Sequence, residues 1–169
     1  ALGSGMNGPV NALAVSGGTL YAGGSFTNAG GNAANYIAQW NGSSWSALGA
    51  GTNNAIQALS VIGTDLYVGG EFTSLAGQSR GGIGALSTTD GSLSTWNPNA
   101  SGGATYFLGE FSSLLYVGGQ FTSIGGAARN RAAALSLTSG LASSWNPNVN
   151  NTVRAMLRGG SFVALGGDF

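Results

Sequence analysis

The 169-residue chain has no cysteine, no histidine and no lysine. Without cysteine there is no disulfide framework and no thiolate-bound zinc. Without histidine the commonest general base and transition-metal ligand is missing, and a Ser-His-Asp triad cannot be assembled. A Ser-Lys pair goes with the lysines. Charge is scarce as well. Five arginines balance five carboxylates, and charged residues make up 6% of the chain, where an ordinary soluble domain has about 25%. Nucleic-acid binding draws most of its affinity from neutralised phosphates, and Arg80, Arg129, Arg131, Arg154 and Arg158 are too scattered to form a basic patch. Arg129 and Arg131 lie close together, which reads as a solvated loop. Electroneutrality does little to hold copies of a protein apart, in keeping with a chain packed against others. No run of about twenty apolar residues is present to span a membrane. The opening residues, Ala1-Leu2-Gly3-Ser4-Gly5, are neither an initiator methionine nor a signal peptide. They read as the start of a mature product or of an excerpt from something longer.

What the chain does have is glycine, 32 residues against three prolines, with a hydrophobic fraction of 43% that suits a folded core. Four segments align on a Gly-Gly-x-Phe anchor: YAGGSF at 21–26, YVGGEF at 67–72, YVGGQF at 116–121 and ALGGDF at 164–169. The anchor phenylalanines, Phe26, Phe72, Phe121 and Phe169, are 46, 49 and 48 residues apart. A self-similar period of that length marks a repeated supersecondary unit.

Within each unit the pattern is strand-like, with no helical period. In the first, Val10–Val15 alternates weakly and is followed by the turn Ser16-Gly17-Gly18. A second strand starts at Leu20 and ends near Phe26, and a polar loop from Thr27 to Asn35 leads to a third strand, Tyr36–Trp40. Asn41-Gly42 is a strong two-residue hairpin signal, and Ser44–Leu48 supplies a fourth strand. The second unit places Asp90-Gly91 at the same hairpin with Trp96 on its last strand; the third places Ser139-Gly140 and Trp145 there. Four short antiparallel strands at a period in the 40s predict an all-β fold of β-propeller blades. A parallel β-helix has a shorter coil, and a sandwich has no reason for the strict period. The expected architecture is one propeller region over 1–169 with blades at about 10–54, 55–103 and 104–152 and a half blade at 153–169. Paired glycines in each second strand suit close approach of a neighbouring sheet, with the tryptophans and anchor phenylalanines filling the space between blades.

The string YVGGQFTSIGGAARNRAAALSLTSGLASSWNPNVNNTVRAM, residues 116–156, resembles the delta-60 β-propeller repeat of bacterial secreted and surface proteins, and residues 67–99 are similar to the same repeat. The first unit is similar to a sister variant in which a W-N-G-x-x-W hairpin, Trp40 to Trp45, replaces the G-x-L-x-x-W-N-P segment. The resemblance implies a propeller and an extracellular or cell-surface setting, and it brings no catalytic residues. The first strand of the third unit, Ala104–Phe111, fits the repeat poorly.

A search for chemistry leaves little. Asp65 and Asp90 fall in hairpin turns, where short polar side chains are favoured. Glu71 and Asp168 share one repeat position with Ser25 and Gln120, which reads as a tolerant polar site and not as a pair of catalytic carboxylates. Glu110 is the fifth acid. No D-x-[DN]-x-[DN]-G calcium loop occurs, and no glycine-rich stretch precedes a helix that could cradle a phosphate. No catalytic, cofactor or metal residue is expected, and no enzyme. The long loops, Thr27–Asn35, Thr73–Gly81 and Thr122–Arg131 with the linkers Gly49–Asn54, Asn97–Gly103 and Asn146–Thr152, are expected on one face. A glycan or peptide would bind there, unless the asparagines serve only turn geometry.

Closed propellers have about four to eight blades, so about three and a half make an incomplete ring with two apolar sheet faces uncovered. The expected partners are further blades of a longer parent chain, the favoured reading, or other copies. The expected function is a non-enzymatic extracellular or surface scaffold acting in structural assembly or adhesion. The alternatives are a carbohydrate- or peptide-binding lectin-like propeller and the propeller part of a larger secreted enzyme.

Overall fold

The computed structural model describes residues 2–169. The described residues form an all-β protein of small antiparallel sheets with no helix. The first repeat is a four-stranded meander of β1 (Val10–Ser16), β2 (Thr19–Gly24), β5 (Ile37–Trp40) and β6 (Trp45–Ala47). The second contains β7 (Ile56–Ile62), β8 (Asp65–Gly70) and β11 (Ile83–Ser87), and the third β12 (Thr105–Phe111), β13 (Leu114–Gly119) and β16 (Ala132–Ser136). The fourth repeat has only β17 (Val153–Arg158) and β18 (Val163–Gly167). The first strands β1, β7, β12 and β17 lie in succession, each packed against the next.

The expectation of four strands in every sheet is therefore corrected for the second and third repeats. There the fourth strand is reduced to one bridge, Leu86 to Leu93 and Leu135 to Ala142. The reason lies in the S-x-W-N-P segment. The Ser94 and Ser143 hydroxyls accept the amides of Trp96 and Trp145, which bends the chain off the ladder, and Pro98 and Pro147 have no N–H to continue it. The first repeat has no proline there, and Trp45–Ala47 completes the sheet.

Two hairpin expectations also change. Asn41-Gly42 is not a two-residue turn: Trp40 pairs with Trp45 around a four-residue loop, because the Asn41 side-chain carbonyl accepts the amides of both Ser43 and Ser44 at 2.9 Å. The polar loop after each second strand is itself a small hairpin: β3 (Asn28–Ala29) with β4 (Asn32–Ala33), β9 (Ser74–Leu75) with β10 (Gln78–Ser79), and β14 (Ser123–Ile124) with β15 (Ala127–Ala128). One apolar residue of each, Ala29, Leu75 or Ile124, is buried. The preceding linker lies along it through a bridge, Met6 to Ala29, Thr52 to Leu75 and Ser101 to Ser123, so these loops and linkers share one side of each sheet.

The strand Thr105–Phe111, a poor fit by residue type, pairs as its counterparts do. In all four repeats the register slips by one residue near the start of the first strand, at Asn11, Gln57, Tyr106 and Arg154. Its tight turn uses Ser112 and Ser113 at positive φ, where the first repeat has Gly17 and Gly18.

Burial explains the glycine pairs. An ideal Cβ on Gly23 would sit 2.5 Å from Ile56 Cγ2, one on Gly69 2.7 Å from Thr105 Cγ2, and one on Gly118 2.8 Å from Val153 Cγ1. Each is the methyl of a β-branched residue opening the next repeat's first strand. Three of the four core clusters straddle repeat boundaries accordingly. Tyr21 and Ile37 pack with Ile56 and Leu66, Tyr67 and Trp96 with Leu108 and Leu115, and Ala132 with Val153 and Met156. Fully burying one such side chain stabilises by about 1.5–3 kcal/mol, and it is the next repeat that does the burying.

The tryptophans divide. Trp96 lies edge-on to Tyr67 at 5.0 Å, and its Nε1 donates to Ser136 O of the following repeat at 2.9 Å. Trp145 meets Tyr116 in the same way at 4.9 Å but stays half-buried. Trp45 does not fill a boundary; it packs on Trp40 and Met6, and its Nε1 donates to Leu2 O. Phe26, Phe72 and Phe121 are buried, whereas Phe169 is 53% exposed.

Candidate functional site

The bulge residues have left the ladder, and three of them meet the residue that follows the glycine pair on the neighbouring strand. Gln57 Nε2 donates to Glu71 Oε1 at 2.9 Å, and Tyr106 Oη donates to Gln120 Oε1 at 3.3 Å. Arg154 donates through Nε and Nη2 to both carboxylate oxygens of Asp168 at 2.8 Å. The fourth bulge residue, Asn11, instead donates to Ile56 O at 2.9 Å in the next repeat. The rows are linked, because the Arg154 guanidinium lies 5.5 Å from the Tyr106 ring centroid. Burial, and then the nearby Glu71 and Asp168 charges, raise the Tyr106 phenol above its usual value, with Arg154 opposing. The hydrogen bond from Arg154, followed by its charge, holds the Asp168 carboxyl below the usual carboxylate range.

Beside this row lies a cleft of about 550 Å³ between the second and third repeats, lined by Glu71, Thr73, Ser101, Tyr106 and Gln120 among others. A second cleft of about 560 Å³ runs between the Asn97–Asn99 linker and the small hairpin of the third repeat. The first offers an amide, a carboxylate, hydroxyls and an aromatic ring, groups able to contact a hydroxylated or peptide ligand. It offers no nucleophile–base pair. Among the described residues no three potential metal-ligating side chains gather.

The acids singled out from the sequence are separated. Asp90 accepts the Ser92 amide at 3.0 Å and the Ser92 hydroxyl at 2.7 Å, and these bonds lower its carboxyl. Glu110 accepts the Ser113 amide and so steadies the two-serine turn. Asp65 opens β8, where its charge adds to burial in raising the Tyr67 phenol. Glu71 and Asp168 occupy equivalent positions two repeats apart, each engaged with its own bulge residue.

The arginines correct the solvated-loop expectation. Arg129 donates through Nη1 to Ala128 O at 2.8 Å and through Nη2 to Ser143 O at 2.7 Å, tying the small hairpin to the tryptophan segment. Arg80 does the same in the second repeat with Ser79 O and Ser94 O. Arg131 donates to Gln120 O and Phe121 O. Guanidinium groups spent on main-chain carbonyls are not free to clamp an anion.

The loop asparagines are also occupied. Asn53 Oδ1 accepts the amides of Thr73 and Ser74 at 2.9 and 3.0 Å, as Asn7 Oδ1 does for Thr27 and Asn28. Asn99, at φ 48°, accepts the Gly81 amide at 3.0 Å. The bulge row, Tyr106 above all, escaped sequence reasoning. The signal that could have found it is the matching of two repeat positions: Gln with Glu, Tyr with Gln, Arg with Asp.

No family model matches the chain, and no curated protein matches it in sequence. Among solved structures it is similar to the computationally designed Ika4 protein, with a TM-score of 0.65 and 14% identity over 97% of this chain and 88% of that one. It is similar as well to the computationally designed Ika8 protein, with a TM-score of 0.62 and 15% identity over 96% of this chain. The chain spans 44% of the length of the latter. At these identities the likeness shows a shared fold and nothing of function.

Proposed function

We propose that the chain is a run of β-propeller blades of the delta-60 type acting as a non-enzymatic extracellular or cell-surface scaffold, through structural assembly or adhesion. One observation carries this reading: each sheet is covered by its neighbour, and the sheets at the two ends of the array are not. Val10 is 42% exposed, whereas Ile56, Thr105 and Val153 at the same position are at 0%. Further support comes from the succession of first strands β1, β7, β12 and β17, which is how blades line the centre of a propeller. The catalytic alternative draws no support from Glu71, Asp90, Glu110 and Asp168, which are held by four separate local partners.

The isolated second repeat, residues 55–103, tests the reading by circular dichroism. It is expected to be unfolded alone, because both faces of its sheet lose their cover; a cooperative melt of that fragment would overturn the proposal. A lectin-like reading is the second choice, favoured by the cleft at Tyr106, Glu71 and Gln120. Glycan-array binding lost in Tyr106→Ala would establish it.

A further inference from the structure

The three internal boundaries follow one packing rule. The first glycine of a pair leaves a hole, and the next repeat fills it with a β-branched residue and a long apolar residue three positions later. Ile56 Cγ2 and Leu59 Cδ1 would meet a Cβ on Gly23 at 2.5 and 3.3 Å. Thr105 Cγ2 and Leu108 Cδ1 would meet one on Gly69 at 2.7 and 3.3 Å, and Val153 Cγ1 and Met156 Cε one on Gly118 at 2.8 and 3.1 Å.

Each half of this device is present once without its counterpart. At the β1 end, Val10 and Leu13 stand where Ile56 and Leu59 stand in the second repeat, and they are 42% and 61% exposed. Val15, two residues on along the same strand, is 67% exposed. At the β18 end, Gly166 stands where Gly23, Gly69 and Gly118 stand, and a Cβ there would meet nothing nearer than Ala155 at 3.9 Å. Beside it Leu157, at the position of the half-buried Ala14, is 70% exposed. Burying such side chains is favourable wherever the shapes match, and here the internal boundaries supply the matching shape three times over.

We infer that the β1 end of one copy of this chain seats on the β18 end of a second copy, with Val10 and Leu13 packed over Gly166 as Val153 and Met156 are over Gly118. The contact is heterologous, joining two different surfaces, so it repeats from copy to copy until a ring closes. It is uncharged at its centre, so screening of charges by salt does little to weaken it. The inference rests on the stacked-repeat reading above, which makes the internal boundaries a valid template.

The test exploits the absence of cysteine. Val10→Cys and Gly166→Cys, made as separate full-length variants and mixed under mild oxidation, are expected to form a disulfide-linked dimer, while neither variant alone does so. Wild-type chain in sedimentation experiments is expected to self-associate with concentration. Leu13→Asp and Gly166→Val are each expected to weaken that association by about tenfold or more, with melting of the dilute chain unchanged, since both sites are open in the single copy.

A wild-type chain that stays monomeric at high concentration would overturn the inference. So would cross-linking of Val10→Cys with itself, or association indifferent to both substitutions. An internal control separates this outcome from failure of the template. In Gly23→Cys/Ile56→Cys the two Cβ atoms lie about 3.2 Å apart, close to disulfide range. If that bridge forms within the chain and the intermolecular one does not, the repeats stack as described and self-association alone falls. If neither forms, the stacking itself is wrong.

Discussion

The boundary between the second and third repeats and the face beyond the fourth are built from the same repeat positions, yet one is a sealed core and the other open. At the internal boundary Gly69 receives Thr105 and Leu108, Trp96 reaches across to Ser136, and Phe121 is fully buried. At the open face Gly166 receives nothing and Phe169 is half-exposed, and one boundary earlier Trp145, packed against the two-stranded fourth repeat, has no third strand there to donate to. The comparison teaches that these residues have no fixed energetic value. What each contributes depends on the next sheet arriving.

Substitutions at matched positions put that difference to the test. The largest contrast is expected between Trp96→Ala and Trp145→Ala. Removing the buried Trp96 should cost about 3–5 kcal/mol. Trp145, half-buried against Tyr116, should cost closer to 1–2 kcal/mol, roughly its aromatic contact and part of its burial. Chemical denaturation of both variants measures the gap, and equal losses would break the comparison.

Next is the glycine contrast. Gly69→Val drives a branched side chain into Thr105 and should cost about 1–3 kcal/mol through overpacking. Gly166→Val in the dilute chain should cost far less, since its Cβ has room; equal melting temperatures for the two variants would refute the account.

A smaller effect is expected at the loop clamps. Asn53→Ala leaves the Thr73 and Ser74 amides to solvent and should lose about 0.5–1.5 kcal/mol, with Asn7→Ala matching it, because both clamps have the same geometry at an internal and a terminal repeat.

Titration gives two further contrasts. Burial raises the Tyr21 and Tyr67 phenols above their ordinary value near 10. An acid whose folded pKa is raised contributes stability below its unfolded pKa and loses it as pH climbs above about 10, where the unfolded chain ionises first. Thermal melts should therefore fall in alkali, and Tyr67→Phe should blunt the fall. The sign is opposite at Asp168. Its carboxyl is lowered by Arg154, so its contribution is present above the unfolded carboxylate range and disappears as pH falls through the folded pKa. That pair is exposed, so Arg154→Ala should produce the smallest change of the series, visible only as a slightly flatter acid limb.

Much of the fold is legible in the sequence. The Gly-Gly-x-Phe anchors located the second strand of each repeat, and the alternation around them gave its two neighbours. The fourth strand is missing from two repeats although Trp96 and Trp145 have the character of strand residues. Only geometry shows the Ser94 and Ser143 hydroxyls capturing the amides that a ladder would have used. Of the candidate site, the sequence shows the shared repeat position of Glu71 and Asp168 but not their partners. A β-bulge has no composition of its own: Asn11, Gln57, Tyr106 and Arg154 share nothing but their place.

Local chemistry along the chain was enough to determine repeating, all-β units, since alternation, turn residues and period act over a few residues at a time. Which residue fills which hole was decided only in three dimensions. Gly23 and Ile56 are distant in sequence, and the reason for one is the methyl group of the other. The same holds for Arg80 and Arg129, whose side chains read as surface charge until folding brings main-chain carbonyls within their reach.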